Sequence, residues 1–181
     1  MIARDLKEVC KTLHLAYIAD QYEDIVFENK EQFLCDVLLA EVSSRQAAKV
    51  SRLIKKAKFR ELKWLKDYEW NDQLHLPATT TKEEICDLRF LHGKQNLLLL
   101  GSPGTGKTHL ATALGLKACE KGFEVRFFRV ADLVGQLEEA LKEGTLQRVK
   151  RQIDKCDLLI LDELGYVPFQ KQGSELLFHI I

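Results

Sequence analysis

An eight-residue segment in the second half of the chain limits the possible folds more than any other feature. Residues 101–108 read GSPGTGKT and match the pattern G-x-x-x-x-G-K-[ST] in full. Leucines fill 97–100 before the segment, and a helical pattern follows it. This pattern is typical of a P-loop, which joins a strand to a helix. The context therefore predicts a short buried strand over 97–100 and a helix over 108–121.

The residue types of this loop suit phosphate groups. Glycines let the backbone approach a ligand closely, and successive N–H groups can then form an anion-binding cradle. The positive end of the following helix points to the same place. The lysine adds a full positive charge, and the threonine hydroxyl can coordinate Mg²⁺. We therefore predict that the phosphates of a nucleotide are bound by Gly101, Ser102, Pro103, Gly104, Thr105, Gly106, Lys107 and Thr108. The alternative, a glycine-rich turn without a ligand, is weakened by the complete motif in its expected context.

A second motif consists of an apolar run at 158–161 followed by Asp162 and Glu163. Strands of a parallel sheet that are buried on both faces have this composition. Ligands of open α/β sheets lie beyond the carboxyl ends of the strands, so both carboxylates should lie near the loop. We predict that Asp162 binds Mg²⁺ or its water ligands. We also predict that Glu163 orients and deprotonates the attacking water. The alternative is a strand that ends in two solvated carboxylates.

Hydrophobic periodicity divides the chain into a helical first half and an alternating second half. Helices are predicted over 4–15 and 30–57, and a capping box of Thr81 and Glu84 opens another helix that ends near 91. The second half adds strands at 124–130 and 157–161 and helices at 132–142, 146–153 and 173–181. This order predicts an α/β fold, with a parallel sheet and helices on both faces. We expect a helical N-terminal region at 1–70, a connection with a lead-in helix at 71–95, and a P-loop core at 96–181.

The second predicted helix carries a basic segment that the formal net charge of zero conceals. Its candidate contacts to a DNA backbone are Arg45, Lys49, Arg52, Lys55 and Lys56. Aromatic residues follow at Trp64, Tyr68 and Trp70. The alternative is a solvated helix face, with the aromatic side chains packed onto the P-loop core. No base-reading motif is visible, so DNA binding here would be independent of sequence.

Other classes of protein are disfavoured. No apolar run reaches the roughly 18 residues of a membrane span, and the N-terminus lacks the pattern of a signal peptide. The 5 cysteines are scattered without a CxxC pair, which argues against a disulfide framework or a zinc site. Reduced thiols indicate a cytoplasmic protein.

Three segments together resemble a known family. LLLLGSPGTGKTHLATALG, FRVADLV and DLLILDELGYVP are similar to the IstB-like ATPases, helpers of insertion-sequence transposition related to the DnaC helicase loaders within the AAA+ class. The resemblance implies that the loop binds the phosphates of ATP and that Thr108 and Asp162 bind Mg²⁺. It also implies that Glu163 takes part in hydrolysis. It further implies assembly into an oligomer on double-stranded DNA and action with a transposase. Two alternatives stay open: a DnaC-like loader that acts with a replicative helicase in DNA replication, and a remnant that binds nucleotide or DNA without turnover.

The resemblance also implies further elements on the C-terminal side, which we expect this chain to lack. AAA+ proteins continue with a strand that bears a polar sensor residue, and with an arginine finger. From this we expect that the C-terminal part of the core is missing, that the strands at 97–100 and 158–161 are not neighbours, and that hydrolysis is weak or absent.

Overall fold

A computed structural model describes residues 2–70, 74–165 and 171–180, with side chains from residue 6 onward. The chain divides into two compact units, Met1–Arg52 and Leu53–Ile181. The boundaries expected at residues 70 and 95 stay predictions. Three predicted features extend outside the described residues: part of the connection (71–73), the end of the family-like segment DLLILDELGYVP (166–168) and the last residue of the final helix. No helix in the described ranges is both long enough and apolar enough to cross a membrane.

The first unit is helical, as predicted. Helix α1 spans Ile2–Thr12, α2 spans Ile18–Gln21, and a 3₁₀ turn follows at Tyr22–Asp24. Helix α3 spans Lys30–Ala57, which confirms the predicted bounds and continues into the second unit. A small core of Cys10, Ile18 and Val37 holds the first unit together.

A buried carboxylate links α2 to α3 within this unit. Glu41 accepts hydrogen bonds from the backbone N–H of Tyr17 at 2.9 Å and of Ile18 at 3.0 Å. Arg45 donates to the same carboxylate, from Nε to Oε1, at 2.7 Å. Burial alone would raise the pKa of Glu41, but the hydrogen bonds from Arg45 and the two amides outweigh it and lower that pKa. Glu41 is therefore a charged structural residue whose bonds cap α2.

The second unit contains a parallel sheet with helices on both faces, which confirms the predicted fold class. Strands β1 (Val125–Arg129) and β2 (Leu158–Asp162) pair in register from Val125↔Leu158 to Arg129↔Asp162. Phe127 and Ile160 pack on one face against helix α6 (Lys107–Glu120). Leu159 and Leu161 pack on the other face. The helices there are α7 at Val130–Lys142, α8 at Leu146–Asp154 and α9 at Lys171–Phe178.

The strand predicted over 97–100 is wrong. This segment pairs with no strand in the described part of the chain, and the sheet order there is β1-β2. Leu98 is 69% exposed and Leu100 is 82% exposed, so the segment is not buried either. An apolar run becomes a strand only where a neighbouring backbone supplies ladder hydrogen bonds, and no described segment supplies them here.

The predicted lead-in helix is divided. Helix α4 (Lys82–Cys86) begins with the predicted capping box, in which Glu84 N–H donates to the Thr81 hydroxyl at 3.2 Å. Leu88 then adopts a left-handed backbone with φ 63° before α5 (Arg89–His92) begins. Its side chain is fully buried in the core. Burial of this leucine therefore outweighs the helical periodicity, at the cost of an unfavourable backbone torsion.

Candidate functional site

The phosphate-loop motif leads directly into α6, as predicted. Gly106 caps this helix in the left-handed conformation, with φ 83°. A Cβ atom at this position would lie 3.3 Å from Cε2 of Tyr68, so the ring packs closely on the backbone of the loop. Both the torsion and the close approach require glycine here. The amides at the start of α6 consequently lie at the loop, where a helix terminus favours an anion.

The lysine of the motif lies across the loop. Its Nζ donates to the carbonyl oxygens of Gly101 and Ser102, each at 2.7 Å. The Thr105 hydroxyl donates to the Ser102 carbonyl at 2.9 Å. The two lysine bonds hold the ammonium group beside the backbone that the motif assigns to phosphate binding.

The two motifs meet although they are far apart in sequence. The Thr108 hydroxyl lies 3.0 Å from Oδ1 and 3.1 Å from Oδ2 of Asp162. Thr108 stands in the first turn of α6 and Asp162 at the end of β2. Hydroxyl and carboxylate oxygens are ligands that Mg²⁺ prefers, and Mg²⁺ commonly takes one or two protein oxygens beside phosphates and waters. The pair therefore fits the metal that the sequence predicts.

The second predicted carboxylate has a partner that sequence reasoning missed. Glu163 follows β2 in a left-handed conformation, with φ 60°. Its Oε1 accepts from Nη2 of Arg129 at 3.0 Å. Arg129 is the last residue of β1 and lies opposite Asp162 in the ladder. The only sequence signal was an arginine at the end of a predicted strand, and no sequence pattern gave the register that places it here.

A large cleft beside the loop was also not predicted. Its volume is about 1340 Å³, and it is lined by the loop, by residues 95–100 and by residues from the ranges 67–69 and 74–90. Drug-sized ligands occupy cavities of about 300–1,000 Å³, so there is room for a nucleoside. Tyr68 lies in the wall and packs edge-on against His109 and Trp70, with ring centroids 5.3 Å and 5.2 Å away. Burial raises the pKa of the Tyr68 hydroxyl above its usual value.

The five predicted DNA contacts are exposed along α3, but they are not equivalent. Arg45 is bound to Glu41 and also donates to the carbonyl oxygen of His14. Lys56 forms an ion pair with Glu124. Lys49, Arg52 and Lys55 have no carboxylate partner among the described residues. The aromatic residues Trp64, Tyr68 and Trp70 lie in the second unit, and the latter two pack against its core, as the alternative to DNA binding expected.

The fold and this site define a P-loop protein, in which a strand-end carboxylate meets the threonine of the loop. The description "IstB-like ATP binding protein" matches residues 9–181. The chain therefore belongs to the IstB-like ATP-binding protein family.

Individual relatives agree with this assignment. A protein named for ATP binding in insertion sequence IS5376 of Geobacillus stearothermophilus is 33% identical over 97% of this chain and 72% of its own length. One named in the same way for IS21 of Pseudomonas aeruginosa is 36% identical over 84% of this chain. The chain spans 57% of that second relative. The chromosomal replication initiator DnaA of Aquifex aeolicus is 33% identical over 58% of this chain and 26% of its own length.

Proposed function

We propose that this chain binds ATP with Mg²⁺ and hydrolyses it as a helper of transposition that acts on double-stranded DNA with a transposase. The observation that supports the proposal most is the convergence of the Thr108 hydroxyl and the Asp162 carboxylate at the start of α6. It brings the phosphate-binding loop and the end of β2 to one place, and Glu163 follows Asp162 directly in the chain.

Each side chain has a role in this scheme. The backbone amides of the loop and the Lys107 ammonium bind the phosphates. Thr108 and Asp162 hold Mg²⁺, which when bound neutralises charge on the phosphate oxygens. Glu163 takes a proton from water as the water oxygen attacks the terminal phosphorus. The bond between that phosphorus and the oxygen of ADP breaks, which gives ADP and inorganic phosphate.

The cleft supports a place for the nucleoside. It adjoins the phosphate loop directly, and its walls combine apolar side chains such as Leu76 and Phe90 with polar groups from the chain before the loop. Tyr68 contacts both the loop and this cleft. A base in the cleft and phosphates on the loop would thus be bound by one continuous surface.

DNA is the proposed macromolecular partner. The exposed cations Lys49, Arg52 and Lys55 support a contact to the phosphate backbone, with affinity that falls as salt rises. Named relatives belong to insertion sequences, which supports a role with a transposase and, by family resemblance, self-association on DNA. The match to a replication initiator favours a second candidate, a helicase loader that acts with a replicative helicase.

ATP binding and phosphate release, measured on the same preparations, test the nucleotide half of the proposal. We expect Lys107→Ala to abolish binding, because the phosphate charge loses its partner. Glu163→Gln should bind ATP normally and release little phosphate. Turnover in Glu163→Gln equal to that of the unmodified chain would contradict the assigned base. Binding without release in the unmodified chain would leave a nucleotide-binding protein and refute hydrolysis.

Duplex DNA binding at several salt concentrations tests the other half. We expect Lys49→Glu with Arg52→Glu to weaken binding strongly and to flatten its salt dependence. Lys7→Glu with Lys30→Glu is the matched control, since it also reverses two exposed positive charges but lies outside the basic segment. Equal losses in both variants would refute a local DNA contact. Stimulation of turnover by a replicative helicase rather than by duplex DNA with a transposase would favour the second candidate.

A further inference from the structure

One histidine of α6 contacts the aromatic segment that lies beside the phosphate loop. This segment, residues 64–70, contains Trp64, Tyr68 and Trp70, which are all partly buried. The ring of His109 packs edge-on against Tyr68, with centroids 5.3 Å apart, and its Nε2 lies 3.4 Å from the carbonyl oxygen of Trp64. A carbonyl only accepts, so the ring N–H donates. Because this hydrogen bond is long, the ring packing contributes more of the restraint than the N–H does.

The Trp64 carbonyl begins the turn that presents Tyr68. It accepts from the backbone N–H of Asp67 at 3.1 Å, and the Tyr68 N–H donates to the carbonyl of Leu65 at 3.2 Å. These bonds close a 3₁₀ turn. A carbonyl oxygen has two lone pairs, so the same atom can also accept from His109. His109 therefore contacts the turn where it begins, through Trp64, and where it ends, through Tyr68.

Tyr68 connects this turn to the phosphate loop. A Cβ atom at Gly106 would lie 3.3 Å from Cε2 of Tyr68, so the ring lies directly on the loop backbone. Gly106 has φ 83° and ends the loop where α6 begins. The loop N–H groups form an anion site only while they point to one place, so a contact that fixes this backbone preorganises the site. The contacts from His109 to Tyr68 to Gly106 thus lead to the proposed phosphate site.

We propose that His109 is a positioning residue that acts through Tyr68: it holds the aromatic segment over Gly106 and so preorganises the loop for a nucleotide. This inference rests on the proposed nucleotide binding. The role differs from those of Lys107 and Thr108, which contact phosphate and Mg²⁺ in the proposed scheme. The alternative is simple packing, which predicts lower stability without any dependence of nucleotide affinity on the pair.

Titration calorimetry with MgCl₂ and the slowly hydrolysed ATP analogue AMP-PNP tests the proposal. We expect His109→Ala to weaken binding about two- to tenfold, the range that one aromatic pair can supply. His109→Phe keeps a ring beside Tyr68 and should recover most of this loss. His92→Ala is the matched control, since His92 packs edge-on against Phe123 at 5.7 Å and neither residue lines the cleft. Unchanged affinity in His109→Ala, no recovery in His109→Phe, or an equal loss in His92→Ala would overturn the proposal.

A double-mutant cycle with Tyr68 separates positioning from simple packing. If His109 acts through Tyr68, the loss of AMP-PNP affinity caused by His109→Ala should fall below about twofold in a Tyr68→Ala background. Losses that multiply in the double variant would show that His109 acts independently of Tyr68, and would overturn the assigned role.

Tryptophan fluorescence tests the restraint without nucleotide. The chain has 2 tryptophans, Trp64 and Trp70, so acrylamide quenching of their emission reports on the aromatic segment alone. We expect a higher quenching constant in His109→Ala and an unchanged one in His92→Ala, at a temperature where both variants are folded. An unchanged constant in His109→Ala would overturn the restraint.

These outcomes separate the inference from the function on which it rests. A chain that binds no AMP-PNP refutes the proposed function, and the effect of His109 on the loop fails with it, whatever the quenching shows. A chain that binds AMP-PNP equally well with and without the His109 ring refutes the role of His109 alone.

Discussion

Gly115 lies where α6 packs closely against Ile160 of the sheet and against Phe59. A Cβ atom at this position would lie 2.7 Å from Cδ1 of Ile160 and 2.8 Å and 2.9 Å from two ring atoms of Phe59. Contacts under 3.0 Å cannot be accommodated without movement. The methyl end of Ile160 can rotate, but the Phe59 ring packs against Phe127, with centroids 6.0 Å apart, and has less freedom. We therefore predict that Gly115→Ala destabilises the second unit.

Two opposing effects set the change in the free energy of unfolding for Gly115→Ala. Insertion of a methyl group into a well-packed core typically costs about 1–3 kcal/mol. Replacement of a glycine inside a helix by alanine returns about 1 kcal/mol. The net loss for Gly115→Ala is thus about 0–2 kcal/mol. Gly135, in the middle of α7, is the matched control because nothing lies within 4 Å of its added Cβ. Gly135→Ala should therefore stabilise the chain by about 0.5–1 kcal/mol.

Thermal or urea unfolding followed by circular dichroism measures the difference between the two variants. The packing cost of about 1–3 kcal/mol corresponds to a gap of several degrees in Tm, since about 1 kcal/mol shifts a domain of this size by roughly 2–4 °C. Gly115→Ala should also weaken ATP binding, because displacement of α6 from β2 separates Thr108 from Asp162. Equal stabilisation by both substitutions, with unchanged ATP affinity, would refute this account of the packing.

Three further predictions concern single contacts. Glu41→Gln should destabilise the first unit by about 1–3 kcal/mol, because it weakens the bonds to Arg45 and two buried amides. The lowered pKa means that this stabilisation is complete above the unfolded pKa of the carboxyl group and is lost as pH falls through the folded value, so melts at decreasing pH should show a smaller acid loss in Glu41→Gln. Lys58→Gly should raise the stability measured by urea unfolding by about 1 kcal/mol, because this exposed residue follows α3 with φ 61°, and an unchanged midpoint would contradict the strain. Tyr68→Ala should lower ATP affinity several-fold in a fluorescence titration whereas Tyr68→Phe should not, because the closest contact to Gly106 comes from the ring rather than from the hydroxyl, and equal losses would contradict this.

The helices and the phosphate-binding motif could be predicted because their signals are local. The 3.6-residue period, the absence of glycine and proline, and the capping box of Thr81 and Glu84 all act within a few residues. These signals gave the bounds of α3 and the start of α4. Tertiary packing overrode them at Leu88, whose buried side chain divides the predicted lead-in helix.

The strand predicted at 97–100 was wrong because strand formation depends on more than the local sequence. Its composition suits a buried strand, but a strand also needs a partner, and the partner cannot be read from the run itself. The apolar run at 158–161 has a similar composition and does form β2, because β1 supplies a ladder along its whole length. Two similar sequences thus differ in structure through their neighbours alone.

The same dependence on neighbours decides which side chains meet at the site. Sequence motifs selected Thr108, Asp162 and Glu163, and the rule that ligands lie at the carboxyl ends of parallel strands predicted their common edge. The rule does not give the register of the ladder, and the register Arg129↔Asp162 is what brings a guanidinium to Glu163. A shift of β1 by one residue would turn Arg129 to the other face of the sheet. The contact between Arg129 and Glu163 is therefore a property of strand pairing, and neither sequence motif alone could predict it.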